Sequence, residues 1–342
     1  MKQIEEVVIV GGGPAGAYCA LELAENGIYP VIVDDSHPRE KPCGGGISPQ
    51  LIQKFPFVER FRPKGFSFDK YRIISCTNRE VVSKERVNGF CISRQIFDEG
   101  ILKLAMEKGT RLISEKVLDL GWKRDRWLIK TNKRILSSGL IIGADGVNSL
   151  VRRKTIGRIC GNNLALTFGY RASPIEENMA SIKFLAEFAG YIWVFPTKNH
   201  LNIGIGGELK YGSLFKDLLN NFIDNYFPEV KVLSSYAAMV PSAKDPAFFS
   251  LPCATKEWVL IGDAAGHADP ISGGGILYAL WGGRLAAQAI KQNNPISFDA
   301  LWKKEFGKTL MERCKNKDAY YDPAQLEIKL LLGLANKIYA WL

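Results

Sequence analysis

The hydrophobic pattern at the start of the chain predicts a strand–turn–helix–strand unit. Residues 6–10 are predicted to form a buried strand, because the four residues after Glu6 are a continuous apolar run. A glycine-rich turn follows, then a helix predicted over 17–26 and an apolar strand at 30–33 that ends in two aspartates. A unit of about thirty residues with an acid after its second strand is typical of nucleotide-binding βαβ structures.

Farther along the chain, helical and extended patterns alternate. The predicted elements are a helix over 94–108, strands over 110–120 and 126–131, a β-rich stretch over 164–210, a helix near 213–227 and a C-terminal helix that begins after Asp322. Residues 258–290 add a strand, a glycine-rich loop and a long helix. Because the nucleotide-binding elements lie near both ends, we expect the middle to be an inserted β-rich domain.

The predicted fold class is therefore α/β, with a Rossmann-like nucleotide-binding domain, an inserted β-sheet substrate domain and a short helical C-terminus. A length of 342 residues fits two domains. The expected boundaries are 1–50, 90–160 and 255–295 for the nucleotide-binding domain, 51–89 and 161–254 for the substrate domain, and 296–342 for the C-terminal helical segment.

Composition and charge narrow the class of protein. The chain is 46% hydrophobic, yet charges interrupt its apolar runs before they reach membrane-spanning length. Its net charge of +10 is dispersed rather than gathered on a recognition helix, so we expect no nucleic-acid partner. The seven cysteines are scattered without a CxxC pair, which argues against a disulfide framework and against a metal site. With no signal-peptide pattern at the N-terminus, we expect a cytoplasmic protein.

The first glycine-rich turn carries the pattern GxGxxG. Glycines at these positions permit a tight turn, a close approach to a pyrophosphate and close helix packing, and the helix N-terminus offers free N–H groups to phosphate. An acid after the second strand is suited to accept hydrogen bonds from ribose hydroxyls. The candidate cofactor-binding residues of this motif are Gly11, Gly13, Pro14, Ala15, Gly16, Asp34 and Asp35.

Two later strands are also followed by loops that contain aspartate and glycine, at 140–149 and at 259–276. With the three motifs in this order, the chain resembles the FAD-dependent family that includes p-hydroxybenzoate hydroxylase, flavin halogenases and geranylgeranyl reductases. The resemblance spans residues 6 to about 290 and implies that the cofactor is FAD. The sequence contains one GxGxxG motif, so no resident nicotinamide domain is expected, and the electron donor would be transiently bound NAD(P)H or a ferredoxin.

The third motif has a physical interpretation of its own. Asp263, after a strand, is suited to accept a hydrogen bond from a ribityl hydroxyl of the flavin, and three glycines open a long helix. The positive end of that helix would stabilise negative charge on the pyrimidine ring of a reduced flavin. The resemblance implies FAD contacts at Asp263, Gly274, Gly275 and Ile276; a loop that only caps a core helix is the alternative.

Two further positions are assigned to FAD. Arg94 begins a predicted helix, where a cation is unfavourable unless an anion lies close by. The resemblance makes that anion the FAD pyrophosphate, and an ordinary salt bridge is the alternative. Val117, on the strand expected after that helix, is placed by resemblance alone at the adenine.

Residues 190–206 indicate which branch of the family the chain resembles. They read GYIWVFPTKNHLNIGIG and match the geranylgeranyl reductase pattern at Tyr191, Trp193, Phe195, Pro196, Asn202, Gly204 and Gly206. Alternation along a strand places the three aromatic side chains on one face. Periodicity alone favours a sheet core over a substrate wall, whereas the resemblance favours the substrate wall. Flavin halogenases carry a comparable aromatic segment, so the motif does not belong to reductases alone.

The stretch KPCGGGIS at 41–48 matches the Cys-Gly-x-Gly loop of the same reductases. The resemblance places Cys43, Gly44 and Gly46 along the flavin, and we expect the glycines to be needed because their backbone lies against the isoalloxazine ring. Cys43 either tunes or gates the flavin and the substrate double bond, or is simply a small residue that fits.

These motifs predict an FAD-dependent reductase that saturates carbon–carbon double bonds of a prenyl lipid. The candidate catalytic residues are Cys43, Tyr191, Trp193 and His267. His267 lies within the third motif and is a candidate because it could donate the proton, although the sequence favours a loop histidine satisfied by the backbone; His37 and His200 are predicted to be loop residues.

Rival functions are an aromatic monooxygenase or halogenase and an electron-transferring flavoprotein. Expected partners are a prenyl lipid or another apolar small molecule, a peripheral membrane surface and a ferredoxin. The sequence does not indicate the oligomeric state.

Overall fold

The computed structural model describes residues 3–83, 88–175 and 179–331. In chain order its strands are β1 (Gln3–Val10), β2 (Val31–Val33), β3 (Gly46–Ile47), β4 (Phe66–Phe68), β5 (Tyr71–Ile74), β6 (Glu80–Val82), β7 (Gly89–Cys91), β8 (Arg111–Ile113), β9 (Val117–Lys123), β10 (Arg126–Thr131), β11 (Ile135–Gly143), β12 (Leu164–Ala172), β13 (Ala180–Phe184), β14 (Gly190–Pro196), β15 (Leu201–Glu208), β16 (Val232–Pro241) and β17 (Trp258–Leu260). Its α-helices are α1 (Pro14–Ala24), α2 (Pro49–Lys54), α3 (Arg94–Glu107), α4 (Leu150–Thr155), α5 (Phe215–Tyr226), α6 (Ile276–Lys291), α7 (Phe298–Trp302), α8 (Lys308–Lys315), α9 (Lys317–Tyr321) and α10 (Pro323–Leu331).

The described residues divide into two compact units, each built from three stretches of chain. Unit 1 comprises those within Met1–Arg39, Gln95–Asn163 and Pro241–Cys314. Unit 2 comprises those within Glu40–Arg94, Leu164–Val240 and Lys315–Leu342.

These bounds differ from the expected domain boundaries: residues 90–94 and the described residues from Lys315 onward belong to unit 2, residues 161–163 belong to unit 1, and three longer stretches also differ. Residues 40–50 belong to unit 2, because β3 pairs there with β7. Residues 241–254 belong to unit 1, where the backbone N–H of Cys253 donates to Asp299. The first part of the expected C-terminal segment, through Cys314, also belongs to unit 1, since α7 and the π-helical turn Lys303–Gly307 supply part of its aromatic core.

Unit 1 is organised around a sheet in the order β8-β2-β1-β11-β10-β9, with β17 also paired to β11. The strands β8, β2, β1, β11 and β17 are mutually parallel where they pair, and the hairpin of β9 and β10 adds antiparallel strands. Val8, Ile9 and Ile32 are fully buried, as expected for a parallel sheet covered on both faces. This arrangement places the turn after β1 and the loop after β17 at the same edge, because the carboxyl ends of parallel strands coincide.

Unit 2 contains a larger sheet in the order β16-β12-β15-β14-β13-β5-β6 and a small sheet β3-β7-β4. One face of the larger sheet packs against α5, where the apolar side chains Ile192, Val194, Ile203 and Ile205 meet Phe215 and Leu219 in a common core. The opposite face carries the aromatic residues that the sequence motif singles out. The predicted α/β fold class with an inserted β-sheet domain is confirmed.

The predicted C-terminal helix is present as α10. Asp322 accepts a hydrogen bond from the backbone N–H of Gln325, which caps the helix as the sequence predicts. Leu326 and Leu330 are buried, while Ile328 is exposed. Part of the leucine-rich stretch, 332–334, lies outside the described residues. Among the helices that the structure describes, none has the length and apolar character to span a membrane.

Candidate functional site

The glycines of the first motif differ in what surrounds them, because two are enclosed by backbone and one is not. Gly11 has φ +106°, and a Cβ there would lie 2.3 Å from the carbonyl oxygen of Ala144. A Cβ on Gly16 would lie 2.0 Å from the carbonyl oxygen of Gly11. Both glycines are therefore required by packing within unit 1, because a side chain would collide with backbone that cannot move aside.

Gly13 is different, since a Cβ there would meet only the His37 ring, at 3.4 Å. It stands immediately before α1 in extended conformation, and within the described chain no side chain caps the start of this helix. Pro14 is the first helical residue, so the backbone N–H groups of Ala15 and Gly16 lie in an uncapped first turn. The open space beside Gly13 and the uncapped N–H groups of α1 form a site that could bind a phosphate, and this site fits the pyrophosphate of FAD.

Asp34 follows β2 and is buried beside this turn, whereas Asp35 is exposed. The Asp34 carboxylate accepts hydrogen bonds from the Gly12 N–H at 2.6 Å, from the Ser36 N–H at 2.6 Å and from the His37 ring at 2.8 Å. Burial raises the pKa of Asp34, but the hydrogen bonds from His37 and from the backbone outweigh it, so the pKa lies well below its usual range. Asp34 is thus the anionic group that holds the glycine turn in place.

His37 is a residue that sequence reasoning missed when it was assigned to a loop without a role. Its Nδ1 donates to Asp34, and its Nε2 lies 3.8 Å from a carboxylate oxygen of the fully buried Asp98. The imidazole therefore lies between two carboxylates and beside Gly13. Its position three residues after the acid was the one signal available, and spacing alone does not show which way a loop side chain turns.

The third motif forms a second candidate cofactor-binding site in unit 1, at the start of α6. Asp263 is half-buried although its neighbours Gly262 and Ala264 are buried. Gly275 precedes α6 and, among the described side chains, none caps that helix; a Cβ on Gly275 would lie 3.2 Å from Asp263 Oδ1. Gly274 and Ile276 are half-buried beside them. A polar oxygen next to an uncapped helix start fits a ribityl chain and an electron-rich ring edge.

The loop that leads into α6 is held by Asp269. This buried carboxylate accepts hydrogen bonds from the backbone N–H groups of Ile271 and Ser272, each at 2.9 Å. Arg313 of α8 completes the arrangement, because its Nη2 donates to Asp269 at 2.9 Å and its Nε forms an ion pair with the same group. No local pattern connects residues 44 positions apart, so sequence reasoning missed Arg313.

Arg94 and Val117 occupy positions that refine their assignments. Arg94 is the buried first residue of α3, and its backbone N–H donates to the Glu40 carboxylate at 2.9 Å. Ser93 also donates to Glu40. The anion that the start of this helix requires is therefore supplied, at least in part, by the protein itself. Val117 begins β9 rather than β8, the strand that directly follows α3.

In unit 2, the predicted alternation on β14 is observed. Tyr191, Trp193 and Phe195 share one face, and the intervening Ile192 and Val194 belong to the core on the α5 side. The cross-strand register aligns three rows on the aromatic face. From β12 through β15 to β14 they are Arg171–Asn202–Phe195, Gly169–Gly204–Trp193 and Thr167–Gly206–Tyr191.

The glycines of this face make room for the indole of Trp193. A Cβ on Gly204 would lie 2.1 Å from the indole carbon Cζ2, whereas a Cβ on Gly206 would have only ordinary contacts at 3.5 Å or more. The indole thus lies flat across β15, where any side chain at position 204 would displace it. This is a physical reason for glycine in the Asn-x-Gly-x-Gly pattern.

The cysteine–glycine loop packs on the same aromatic face, and this revises the expectation about its glycines. A Cβ on Gly44 would lie 2.5 Å from the Phe195 ring and 3.2 Å from Trp193 Nε1. Gly45 has φ +74°, and its Cβ would lie 2.2 Å from the carbonyl oxygen of Ile92. Contacts inside unit 2 are therefore sufficient to require glycine at 44 and 45. The expectation that the isoalloxazine ring imposes these glycines is not needed to explain them.

Asn202 joins the loop to the aromatic strand. Its Oδ1 accepts hydrogen bonds from Trp193 Nε1 at 2.8 Å and from the Tyr236 hydroxyl at 2.7 Å. Its Nδ2 donates to the carbonyl oxygen of Cys43 at 3.0 Å. Cys43 is half-buried, and its Sγ accepts a hydrogen bond from the Gly45 N–H at 3.4 Å. Two sequence motifs about 150 residues apart thus form one structural element.

Two family models match segments of this chain that contain residues described above. A family model described as the geranylgeranyl reductase catalytic domain matches residues 163–240, and a model described as an FAD binding domain matches residues 5–52. Over these two segments the chain is similar to FAD-dependent oxidoreductases of the geranylgeranyl reductase type. The first model covers the aromatic strand, Asn202 and Tyr236, and the second covers the glycine turn, Asp34 and the cysteine–glycine loop.

Individual geranylgeranyl reductase relatives agree with these matches. The digeranylgeranylglycerophospholipid reductase of Methanoculleus marisnigri is 29% identical over 92% of this chain and 85% of that protein. A geranylgeranyl bacteriochlorophyll reductase-like structure from Thermoplasma acidophilum has a TM-score of 0.83 at 23% identity, over 93% of this chain and 88% of that one. A flavin-dependent brominase shares the fold with a TM-score of 0.72 at 20% identity, over 97% and 94% of the two chains.

His267 is a core residue of unit 1. It is fully buried, with its ring centroid 4.3 Å from that of Trp302 and 5.2 Å from that of Phe306. Burial, aided by the positive charges of Arg152 and Lys303, lowers the pKa of His267 to about 3. A neutral imidazole enclosed by aromatic rings does not suit proton donation to a substrate, so we do not retain His267 as a catalytic residue.

We expect Gly204→Ala to destabilise the protein by about 1–3 kcal/mol, because the new methyl group would overlap the Trp193 indole. Gly206→Ala is the matched control, on the same strand and the same face but with only ordinary contacts around its Cβ. Urea unfolding measures both stabilities, and near-ultraviolet circular dichroism reports the Trp193 environment. Equal destabilisation by the two substitutions would contradict the packing argument.

We expect His267→Gln to flatten the dependence of stability on pH. The unfolded histidine binds a proton below pH 6.5, whereas the folded one does so only near pH 3, so the folded state loses stability as the pH falls through this window. The loss approaches about 1.4 kcal/mol per pH unit for one such group. Urea unfolding between pH 7 and pH 4 checks this, and parallel curves for the wild type and the variant would contradict it.

We expect Arg313→Gln to weaken FAD binding about tenfold, or about 1.4 kcal/mol, because Asp269 would lose the partner that fixes the loop before α6. Arg284→Gln is the control. Arg284 also forms an ion pair, with its Nε 3.0 Å from the Glu22 carboxylate, but neither residue belongs to the loop before α6. Flavin fluorescence titration of the apoprotein measures both affinities. Indistinguishable affinities for the two variants would remove the role assigned to Arg313.

Proposed function

We propose that this chain saturates carbon–carbon double bonds of a geranylgeranyl-type lipid. The observation that carries the proposal is the aromatic face of unit 2, on which the cysteine–glycine loop is packed by direct contact with Phe195. Relatives named digeranylgeranylglycerophospholipid reductase support a prenyl chain on an archaeal-type lipid as the substrate class.

FAD, once bound and reduced, supplies the hydride for such a reaction. We infer that Gly13 and the start of α1 hold its pyrophosphate and that Asp263 and the start of α6 hold its ribityl chain and pyrimidine edge. Arg94 and Val117 remain assigned to the pyrophosphate and the adenine by resemblance.

Asp34 would bind the ribose only by exchanging a partner. Its two oxygens already accept five hydrogen bonds, from Gly12, Ser36 and His37, while a carboxylate offers about four favourable acceptor sites. Among these donors, the side chains of Ser36 and His37 can rotate away without moving the backbone, and of the two it is the His37 ring that lies beside Gly13. We infer that the ribose hydroxyls take the place of that ring, and that His37 holds the carboxylate when the nucleotide is absent.

Residues of unit 2 would orient the alkene and receive its apolar surface. The half-buried Tyr191 offers a flat ring that suits an isoprenoid chain, and the buried Trp193 lies behind it with its ring centroid 6.0 Å away. Hydride addition to one alkene carbon leaves its neighbour in need of a proton. We assign that proton to the Cys43 thiol, which is half-buried in the loop on the aromatic face. The electron donor that we propose is NAD(P)H or a ferredoxin.

The decisive experiment is anaerobic turnover. The flavin-loaded protein is reduced with dithionite, so that the result does not depend on the physiological donor, and is offered digeranylgeranylglycerol phospholipid. We expect mass spectrometry to show a gain of two hydrogens for each double bond reduced. Oxygen-dependent hydroxylation or halogenation of an aromatic compound, without any saturated lipid, would overturn the proposal in favour of the halogenase-like alternative. Flavin reduction and reoxidation by a protein partner alone would favour an electron carrier.

Cys43→Ser tests the assignment of the proton. We expect kcat for lipid saturation to fall by a factor of about 10² or more, since a hydroxyl is a far weaker acid than a thiol, with the flavin spectrum and content retained. Cys76→Ser is the control, because Cys76 is also half-buried in unit 2 but lies outside the loop. A Cys43→Ser enzyme with wild-type turnover would place the proton source elsewhere.

A further inference from the structure

Tyr236 is a buried hydroxyl that no sequence motif singles out. It lies on β16, the strand next to β12 at the edge of the larger sheet, and is 8% exposed. A Cβ on Gly169 would lie 2.5 Å from its hydroxyl oxygen, so the phenol ring occupies the space that this glycine leaves free. The glycine of β12 thus admits Tyr236, as Gly204 of β15 admits Trp193.

The Tyr236 hydroxyl fixes the orientation of the Asn202 amide. Asn202 is 3% exposed, and its Oδ1 accepts from both Tyr236 and Trp193. An indole N–H can only donate, so the amide oxygen must face these two partners and the NH₂ group must face the other way. Burial raises the pKa of Tyr236, so its hydroxyl keeps the proton that it donates.

The other end of the amide reaches the cysteine–glycine loop. Asn202 Nδ2 donates to the carbonyl oxygen of Cys43, and the Cys43 thiol sulfur in turn accepts from the Gly45 N–H. A hydrogen bond at the carbonyl of a residue restricts rotation of the adjoining peptide planes. The direction of the Cys43 side chain therefore depends on the amide of Asn202.

Arg171 supports the same arrangement from the neighbouring strand. Its guanidinium lies 5.3 Å from the centre of the Tyr236 ring, which is within range for a cation–π contact. Its Nη2 donates to the carbonyl oxygen of Glu40 at 3.4 Å, just before the loop. The segment from Glu40 to Cys43 is thus held at both ends by side chains, those of Arg171 and Asn202, that each contact Tyr236.

We propose that Tyr236 is a positioning residue that acts through Asn202 to set the conformation of the Cys43 loop. The inference rests on the proposed function only for its consequence in catalysis. If Cys43 donates the proton, its placement by Tyr236 governs kcat, and the loop conformation itself is measurable without any lipid substrate.

Tyr236→Phe removes one hydroxyl and keeps the ring. We expect Cys43 in the flavin-loaded protein to react with iodoacetamide about fivefold faster in this variant, a factor that corresponds to loss of a hydrogen bond worth about 1 kcal/mol. Peptide mass spectrometry follows each cysteine separately, and the exposed Cys160 of unit 1 is the internal reference. An unchanged ratio of the Cys43 to Cys160 rates would overturn the proposal.

Tyr170→Phe is the matched control. The Tyr170 hydroxyl also donates to an asparagine Oδ1, that of Asn220 at 2.9 Å, but Tyr170 belongs to the core on the α5 face of the same sheet. We expect this variant to leave the Cys43 rate unchanged. An equal increase in both variants would show a general loosening of unit 2 and would sink the specific role of Tyr236.

A double-mutant cycle tests the route through Asn202. Asn202→Asp keeps the acceptor atoms but removes the donor to Cys43, so we expect it to raise the Cys43 rate by itself. Adding Tyr236→Phe should then produce little further change, because both act on the same carbonyl. Fully additive effects would show that Tyr236 acts by another path and would overturn the proposed coupling.

Lipid turnover separates this inference from the proposed function. We expect Tyr236→Phe to lower kcat for lipid saturation while KM and FAD affinity stay close to wild type, and conservation of kcat would contradict a catalytic consequence. If the wild-type enzyme saturates no prenyl lipid while Cys43 alkylation still responds to Tyr236→Phe, the proposed function fails and the positioning role stands.

Discussion

The structure of unit 2 depends on one steric constraint, the direct contact between the backbone of the cysteine–glycine loop and the aromatic rings of β14. A methyl group at Gly44 would overlap the Phe195 ring at 2.5 Å. The loop can therefore lie on this face only if it has no side chain there, and the rings can lie flat only because Gly204 also lacks one. The aromatic rings of β14 require glycine in the cysteine–glycine loop, and the loop in turn packs against those rings. A substitution in either segment therefore alters the packing of both.

Unit 1 shows the complementary use of glycine. Gly11 and Gly16 are enclosed by the carbonyl oxygens of Ala144 and Gly11, whereas the space beside Gly13 is open apart from the ring of His37. Packing explains the first two glycines without a ligand, but it leaves Gly13 unexplained until a phosphate is considered. The glycine that the protein does not need for its own packing is therefore the one that best indicates nucleotide binding.

Local periodicity was sufficient to predict the βαβ unit, the shared face of Tyr191 and Trp193, and the cap of α10 by Asp322. In each case the relevant atoms are a few residues apart, and the repeat of a strand or helix determines their relation. Contacts between distant segments were not accessible in this way. Arg313 meets Asp269 across 44 residues, and Tyr236 meets Asn202 across 34. The candidate role of His267 also rested on sequence position, and a motif predicted to lie beside the cofactor can still turn a side chain inward to the aromatic core.

Asn202 shows why the polar groups of the candidate site have to be considered together. An asparagine amide can be rotated by half a turn with little change in shape, so its own packing does not fix which end faces the loop. The indole of Trp193 and the hydroxyl of Tyr236 remove that ambiguity, because both are donors directed at the same atom. The same indole is also part of the aromatic face. One side chain therefore links the aromatic face to the orientation of the Cys43 carbonyl, and the face and the loop are held by a single hydrogen-bonded unit rather than by independent residues.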